Sequence, residues 1–304
     1  MKNSNKYTKA VEVVQDTTIQ IQELFALFSG IREAIRHTAR PEDLEKIRKA
    51  FPKIYVRLRK EYFGKKANAC IITKNKKALE IMVDNVFNDD HGHFDQELEG
   101  RLLGYPDCCI KHHTKYVDRK IIHDLDLSIY ECYKNSGKCS PYINNFLSIS
   151  TRIRTKNDEI SRDKFELLNK DNKLPVYGFF FISHMPCRFD CKESIKIGKE
   201  IDGLLKKYYP SFEKIVFDTL SKPILYFSVF NQVIFDGYIK GEVLYYKKII
   251  PPYFPVPTKL LKSINKGNKI WVNKKKIAVM KDNKTIYTYL KKSDSDGFIV
   301  DFGG

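Results

Sequence analysis

Four of the chain's seven cysteines stand in two short stretches, Gly104-Tyr105-Pro106-Asp107-Cys108-Cys109 and His184-Met185-Pro186-Cys187-Arg188-Phe189-Asp190-Cys191. Thiolate sulfur and imidazole nitrogen are the donors that zinc and iron-sulfur clusters take, about four to a site. Cys108, Cys109, His184, Cys187 and Cys191 offer five candidates. Because adjacent cysteines share one centre only with some strain, two closed sets stand side by side. One is Cys187, Cys191 and His184 with either Cys108 or Cys109; the other is all four cysteines, with His184 outside. The expected cofactor is zinc or an iron-sulfur cluster, and the spacing does not choose between them. Three residues between Cys187 and Cys191 exceed the two of a zinc knuckle. No cysteine follows Cys191 at the spacing of radical S-adenosylmethionine enzymes.

Whether the chain is an enzyme is left open by these residues. A cysteine of the 108–109 pair left outside the ligand set could act as nucleophile or sulfur carrier, with Glu193 or His112 moving the proton in a thiol- or metal-dependent group transfer. The competing reading is four thiols that pack a core. Proline and polar neighbours around each pair, and the position of each at the start of an expected helix, argue against it.

The elements that must position these groups follow from periodicity. Gly104 and Pro106 end one helix and open the next, which places Cys108 and Cys109 in a first turn, where unpaired amides and the helix dipole favour thiolate. Val176 to Ile182 reads as a buried central strand that delivers His184. Lys192 to Tyr208 reads as a helix with Ile195, Ile197, Ile201 and Leu204 or Leu205 inward, and the Cys187–Cys191 spacing puts both sulfurs on one helix face.

Upstream, apolar residues recur at helical spacing from Val11 to Ala50, including Ile31 and Ile35, and Pro41-Glu42-Asp43 opens a further helix. A buried strand at Asn68–Thr73, with Cys70 as a structural thiol, precedes a helix at Lys77–Val86. Asp89-Asp90-His91-Gly92-His93 reads as a solvated loop and Phe94–Leu103 as a helix. Cys132 and Cys139 have no assigned role. Beyond Phe212 come short β-branched and aromatic runs, at 215–217, 224–229, 233–238, 243–250, 269–272, 277–280 and 285–289, with Lys281-Asp282-Asn283-Lys284 as a hairpin turn and Pro251–Pro257 as a stiff extended segment. The fold class is therefore α+β. Residues 1–62 form an N-terminal helical region, 63–210 a mixed α/β domain carrying the cysteines, and 211–304 a basic β-rich domain.

A net charge of +17 excludes a disordered acidic chain, and 42% hydrophobic content supports a real core. No apolar run spans a membrane, and the polar start argues for a cytoplasmic protein, in which thiols stay reduced. Residues 205–304 carry 18 lysines against 8 acidic residues, a net of +10. A second function class follows: a nucleic-acid-binding protein with a purely structural metal, whose basic β-rich region takes RNA or another anionic partner.

The two cysteine stretches, extended through Lys192-Glu193-Ser194 and with Pro141-Tyr142-Ile143-Asn144-Asn145 between them, resemble a mainly archaeal family of uncharacterised proteins carrying the same motifs, over about the middle half of the chain. The resemblance implies an archaeal, methanogen-like cytosol, rich in iron-sulfur proteins, and brings no reaction with it.

Overall fold

A computed structural model describes residues 4–62, 65–87, 95–116, 123–147, 179–228, 231–250 and 257–303. Among them are ten α-helices and ten strands in a mixed α+β arrangement, with helices leading the chain and an antiparallel sheet closing it. Packing divides the chain into two units, each drawn from separated stretches: 1–115, 184–187 and 192–214 in the first, and 116–183, 188–191 and 215–304 in the second.

The first unit begins with α1 (Ser4–Val14) and α2 (Ile21–Ser29). Gly30 ends α2 at φ 88°, so the helical spacing that runs on to Ile35 is coincidental: Ile35 belongs to strand β1 (Ala34–Thr38). In α3 (Pro41–Ala50), proline and acidic residues fill the first turn and Arg48 and Lys49 the last, matching the helix dipole. The strands β2 (Tyr55–Tyr62) and β3 (Lys65–Thr73) complete an antiparallel sheet of order β1-β3-β2. The apolar run of β3 takes the centre, with Ala69, Cys70, Ile71 and Ile72 all buried. Helix α4 (Lys76–Phe87) lays Ala78, Met82 and Val86 against Ala34 and Ile71. Asp95 caps α5 (Gln96–Leu102), its carboxylate accepting the amides of Glu97 and Leu98. Then come α6 (Asp107–Tyr116) and, later in the chain, α8 (Lys192–Tyr208).

The second unit holds α7 (His123–Asn135), a short 3-10 turn at Pro141–Ile143, and a seven-stranded antiparallel sheet. Its strands are β4 (Ile224–Ser228), β5 (Asn231–Lys240), β6 (Val243–Ile250), β7 (Lys269–Val272), β8 (Lys276–Lys281), β9 (Lys284–Leu290) and β10 (Phe298–Val300), in the order β10-β4-β5-β6-β7-β8-β9. Asp282 turns the β8–β9 hairpin at φ 55°. Helix α10 (Thr258–Ile264) covers one face, burying Leu260 and Ile264 against Leu244, Tyr246, Ile270, Ile277 and Val279.

Two expected strands take other forms. Residues 215–217 lie inside helix α9 (Pro210–Leu220), where Phe212, Val216 and Leu220 are buried at four-residue spacing; the period of 3.6 outweighs three β-prone residues. Phe179–Ser183 pairs with no strand. Its Phe180, Phe181 and Ile182 are buried in succession, and Phe181 meets the rings of Tyr142 and Phe217. A continuous apolar run fits buried coil as well as a central strand, and periodicity cannot separate them. The loop at 89–93, the proline segment at 251–256 and the first part of the expected strand, 176–178, lie outside the described residues.

Candidate metal centre

Each thiol is placed by a local break in the chain. After α5, Gly104 adopts φ 72°, and a Cβ there would stand 2.1 Å from the carbonyl oxygen of Ile31. Only glycine fits this reversal. It is fixed by the Tyr105 amide donating to the Gly100 carbonyl at 2.9 Å. Pro106 then offers its carbonyl to the amides of Cys109 and Ile110, at 2.9 and 3.0 Å, and α6 starts. Cys108 and Cys109 occupy its first turn, Cys108 exposed and Cys109 buried.

The second stretch is a turn rather than a helix. Cys187 lies in the bend, the Cys191 amide donates to the Arg188 carbonyl at 3.1 Å, and Cys191 immediately precedes α8. The Asp190 carboxylate is occupied by Arg188 and by the Gly137 amide at 2.9 Å. The Arg188 bond, opposed by partial burial and helped by that amide, holds the Asp190 carboxyl below the usual carboxylate range. Phe189 is pinned from both sides, its amide donating to Ser136 Oγ at 2.6 Å and its carbonyl accepting the Ser140 amide at 2.9 Å.

The four sulfurs of Cys108, Cys109, Cys187 and Cys191 lie within 4.8 Å of one another, a cluster able to bind a metal ion. Cys108 Sγ and Cys109 Sγ are 3.9 Å apart, so adjacent cysteines do converge here. The Cys109 sulfur accepts the Cys187 amide at 3.3 Å and meets Ser194 Oγ at 3.2 Å.

His184 is brought near but not into this group. Its Nε2 bonds Ser194 Oγ at 2.8 Å, so it reaches Cys109 through a hydroxyl. The imidazole also lies against Tyr105, with centroids 4.9 Å apart. The guanidinium of Arg32, ion-paired with buried Glu23, sits over the other ring at 5.5 Å. Of the two ligand sets compatible with the spacing, the geometry favours the four thiols with histidine outside. Ser194, the link in this chain, has no signature in the sequence beyond its place on the buried line Ser194, Gly198, Ile201, Asp202 and Leu205 of α8. Ile195 and Ile197 fall off that line and are half-buried.

No protein-family model, curated protein or solved structure matches this chain. The site is therefore read from its chemistry alone. All seven cysteines are thiols, but burial pushes those of Cys70 and Cys139 up to about 12. They stay protonated at neutral pH and act as packing groups. Beside the cluster is a cavity of about 550 Å³ lined by Tyr105, Asp107 and Cys108 on one wall and by Glu193, Lys196 and Glu200 on the other. Glu193 thus shares a cavity with Cys108, whereas His112 does not line it. No helix among the described residues is long and apolar enough to cross a membrane.

Proposed function

We propose that the chain is a zinc protein whose ion is held by Cys108, Cys109, Cys187 and Cys191. The spacing of the sulfurs carries this reading. Four thiolates at about 2.3 Å from one tetrahedral ion stand about 3.8 Å apart. The pair measured at 3.9 Å and the common limit of 4.8 Å match a single shared ion. A four-iron cube places each thiolate beyond a different iron and so spreads them wider.

Four protein ligands close the coordination sphere, which is the pattern of structural zinc rather than of catalytic zinc with an open position. No cysteine is then left over as a nucleophile, and group transfer loses its reacting atom. The ion's role is to tie the first turn of α6 to the turn that starts α8.

Anaerobic purification with elemental analysis tests this directly. One zinc per colourless chain is expected, and cobalt substitution should give the intense thiolate-to-metal and visible bands of a tetrahedral four-sulfur site. Stoichiometric iron and sulfide with brown colour would replace zinc by a cluster, and neither metal would remove the proposal. Ser194→Ala tests the supporting shell. Removing the hydroxyl between Cys109 and His184 should weaken zinc binding about 10- to 100-fold in chelator competition, the usual effect of losing an outer-shell partner, while circular dichroism stays unchanged.

A further inference from the structure

One face of the seven-stranded sheet is covered by α10, as described above; the opposite face at the β5–β8 end carries a different set of side chains. Tyr238 pairs with Tyr245 across β5 and β6, Tyr245 pairs with Lys269 on β7, and Val243 pairs with Trp271. Paired residues share a face, and so do residues two apart on a strand. Lys240, Tyr238, Tyr245, Lys269, Trp271 and Lys276 therefore share one surface, while the alternate positions Ile239, Leu244 and Ile270 join the core.

Tyr238 and Tyr245 stack at 5.4 Å with 11° between their planes; Tyr238 is 61% exposed, and Tyr245 and Trp271 are half-buried. Plain alternation on β5 sets the aim of Tyr238: Val233, Phe235 and Ile239 join the core, and Tyr238 and Lys240 face away. The register shift between Asp236 and Gly237 leaves Lys247 of β6 as the extra residue, and a Cβ on Gly237 would stand 2.1 Å from the Tyr245 carbonyl oxygen, so glycine permits the close strand approach there. Lysines flank the rings, with Lys269 Nζ 5.5 Å from the Tyr245 centroid and Lys276 Nζ 5.5 Å from that of Trp271. The two acidic groups nearby are already engaged: Glu242 accepts the Trp271 indole N–H at 3.0 Å, and Asp236 is paired with Lys222 at 2.9 Å.

We infer that this sheet face binds single-stranded nucleic acid, its bases stacking on Tyr238, Tyr245 and Trp271 and its phosphates meeting Lys240, Lys269 and Lys276. An apolar protein partner would find lysines between the rings, and a duplex would have no free base faces to offer. A strand of unpaired bases uses both features at once: every base has a π-face and every linkage a negative charge. The residues lie far in sequence from the cysteines, and the inference does not rest on the metal.

The test is fluorescence anisotropy of labelled 12-mers, oligouridylate and oligothymidylate, with the full zinc-loaded chain. Binding should weaken with salt at a log–log slope of about −2, from roughly three phosphate contacts. Tyr238→Ala, Tyr245→Ala and Trp271→Ala should each lower affinity roughly fivefold to a hundredfold, with zinc content and circular dichroism unchanged. Binding of either oligonucleotide with these losses supports the inference. Polyglutamate or a 12-base-pair duplex binding as tightly, or affinity indifferent to removal of all three rings, would overturn it, as would no binding at low salt.

Discussion

If the site holds zinc as proposed, Cys109→Ser should lower zinc affinity about 100- to 1000-fold in chelator competition. Cys109 is 1% exposed, and its sulfur meets the Cys187 amide, Ser194 Oγ and Cys108 Sγ within 3.9 Å. A serine oxygen is a harder and, at neutral pH, protonated donor, so the fourth zinc bond is lost, not weakened. Structural zinc sites contribute about 10–16 kcal/mol of apparent binding free energy, and a quarter of that, about 2.5–4 kcal/mol, is two to three orders of magnitude in affinity. Because binding free energy is also folding free energy, the variant should unfold earlier than the parent, and the gap should close when both are stripped by chelator. Cys108→Ser must lose metal as well if the set is closed; retained zinc in that variant would reopen the reading in which one cysteine of the pair is spare. Cys139→Ala should keep its zinc, since that buried thiol, pushed up to about 12, belongs to no ligand group.

The cysteine motifs were legible because liganding chemistry is concentrated in few residue types, and because Gly104 and Pro106 announce a helix boundary. Helix α8 was legible from end to end, since seventeen residues give periodicity many chances to assert itself. Five residues of Phe179–Ser183 give it few, and their burial in coil depends on partners such as Tyr142 and Phe217, which no local pattern names. The same limit applies to His184. Its link to the cluster runs through Ser194, ten positions later on the buried face of α8, a partner that no local pattern names. The β-rich end was readable strand by strand. Which side of each strand faces out was not uniformly so: β5 alternates without a break, Val233, Phe235 and Ile239 inward and Tyr238 outward, whereas the extra residue Lys247 resets β6 between Tyr246 and Ile249.

Gly104→Ala should be the most destabilising alanine substitution among the described glycines, since only Gly104 combines a left-handed φ with a 2.1 Å approach to backbone. A left-handed backbone costs an L-residue roughly 1–2 kcal/mol, and here the added methyl would also stand 2.1 Å from Ile31 O and 3.0 Å from the Arg32 side chain. The nearer atom is backbone, so no rotamer change relieves the contact; α5, α6 or the chain at Ile31 must move. A total of about 3 kcal/mol or more is expected, which lowers Tm by roughly 5 °C or more in a protein of this size. Gly203→Ala is the control: Gly203 sits exposed in α8 with nothing within 4 Å of the new methyl, and alanine there should raise stability by up to about 1 kcal/mol through helix propensity. The two variants add the same atom with opposite sign. If the displacement at Gly104 swings the first turn of α6, zinc affinity falls together with Tm, since Cys108 and Cys109 are carried by that turn. A Gly104→Ala protein with parental Tm and parental zinc affinity would show that the tight reversal neither constrains the fold nor aims the sulfurs.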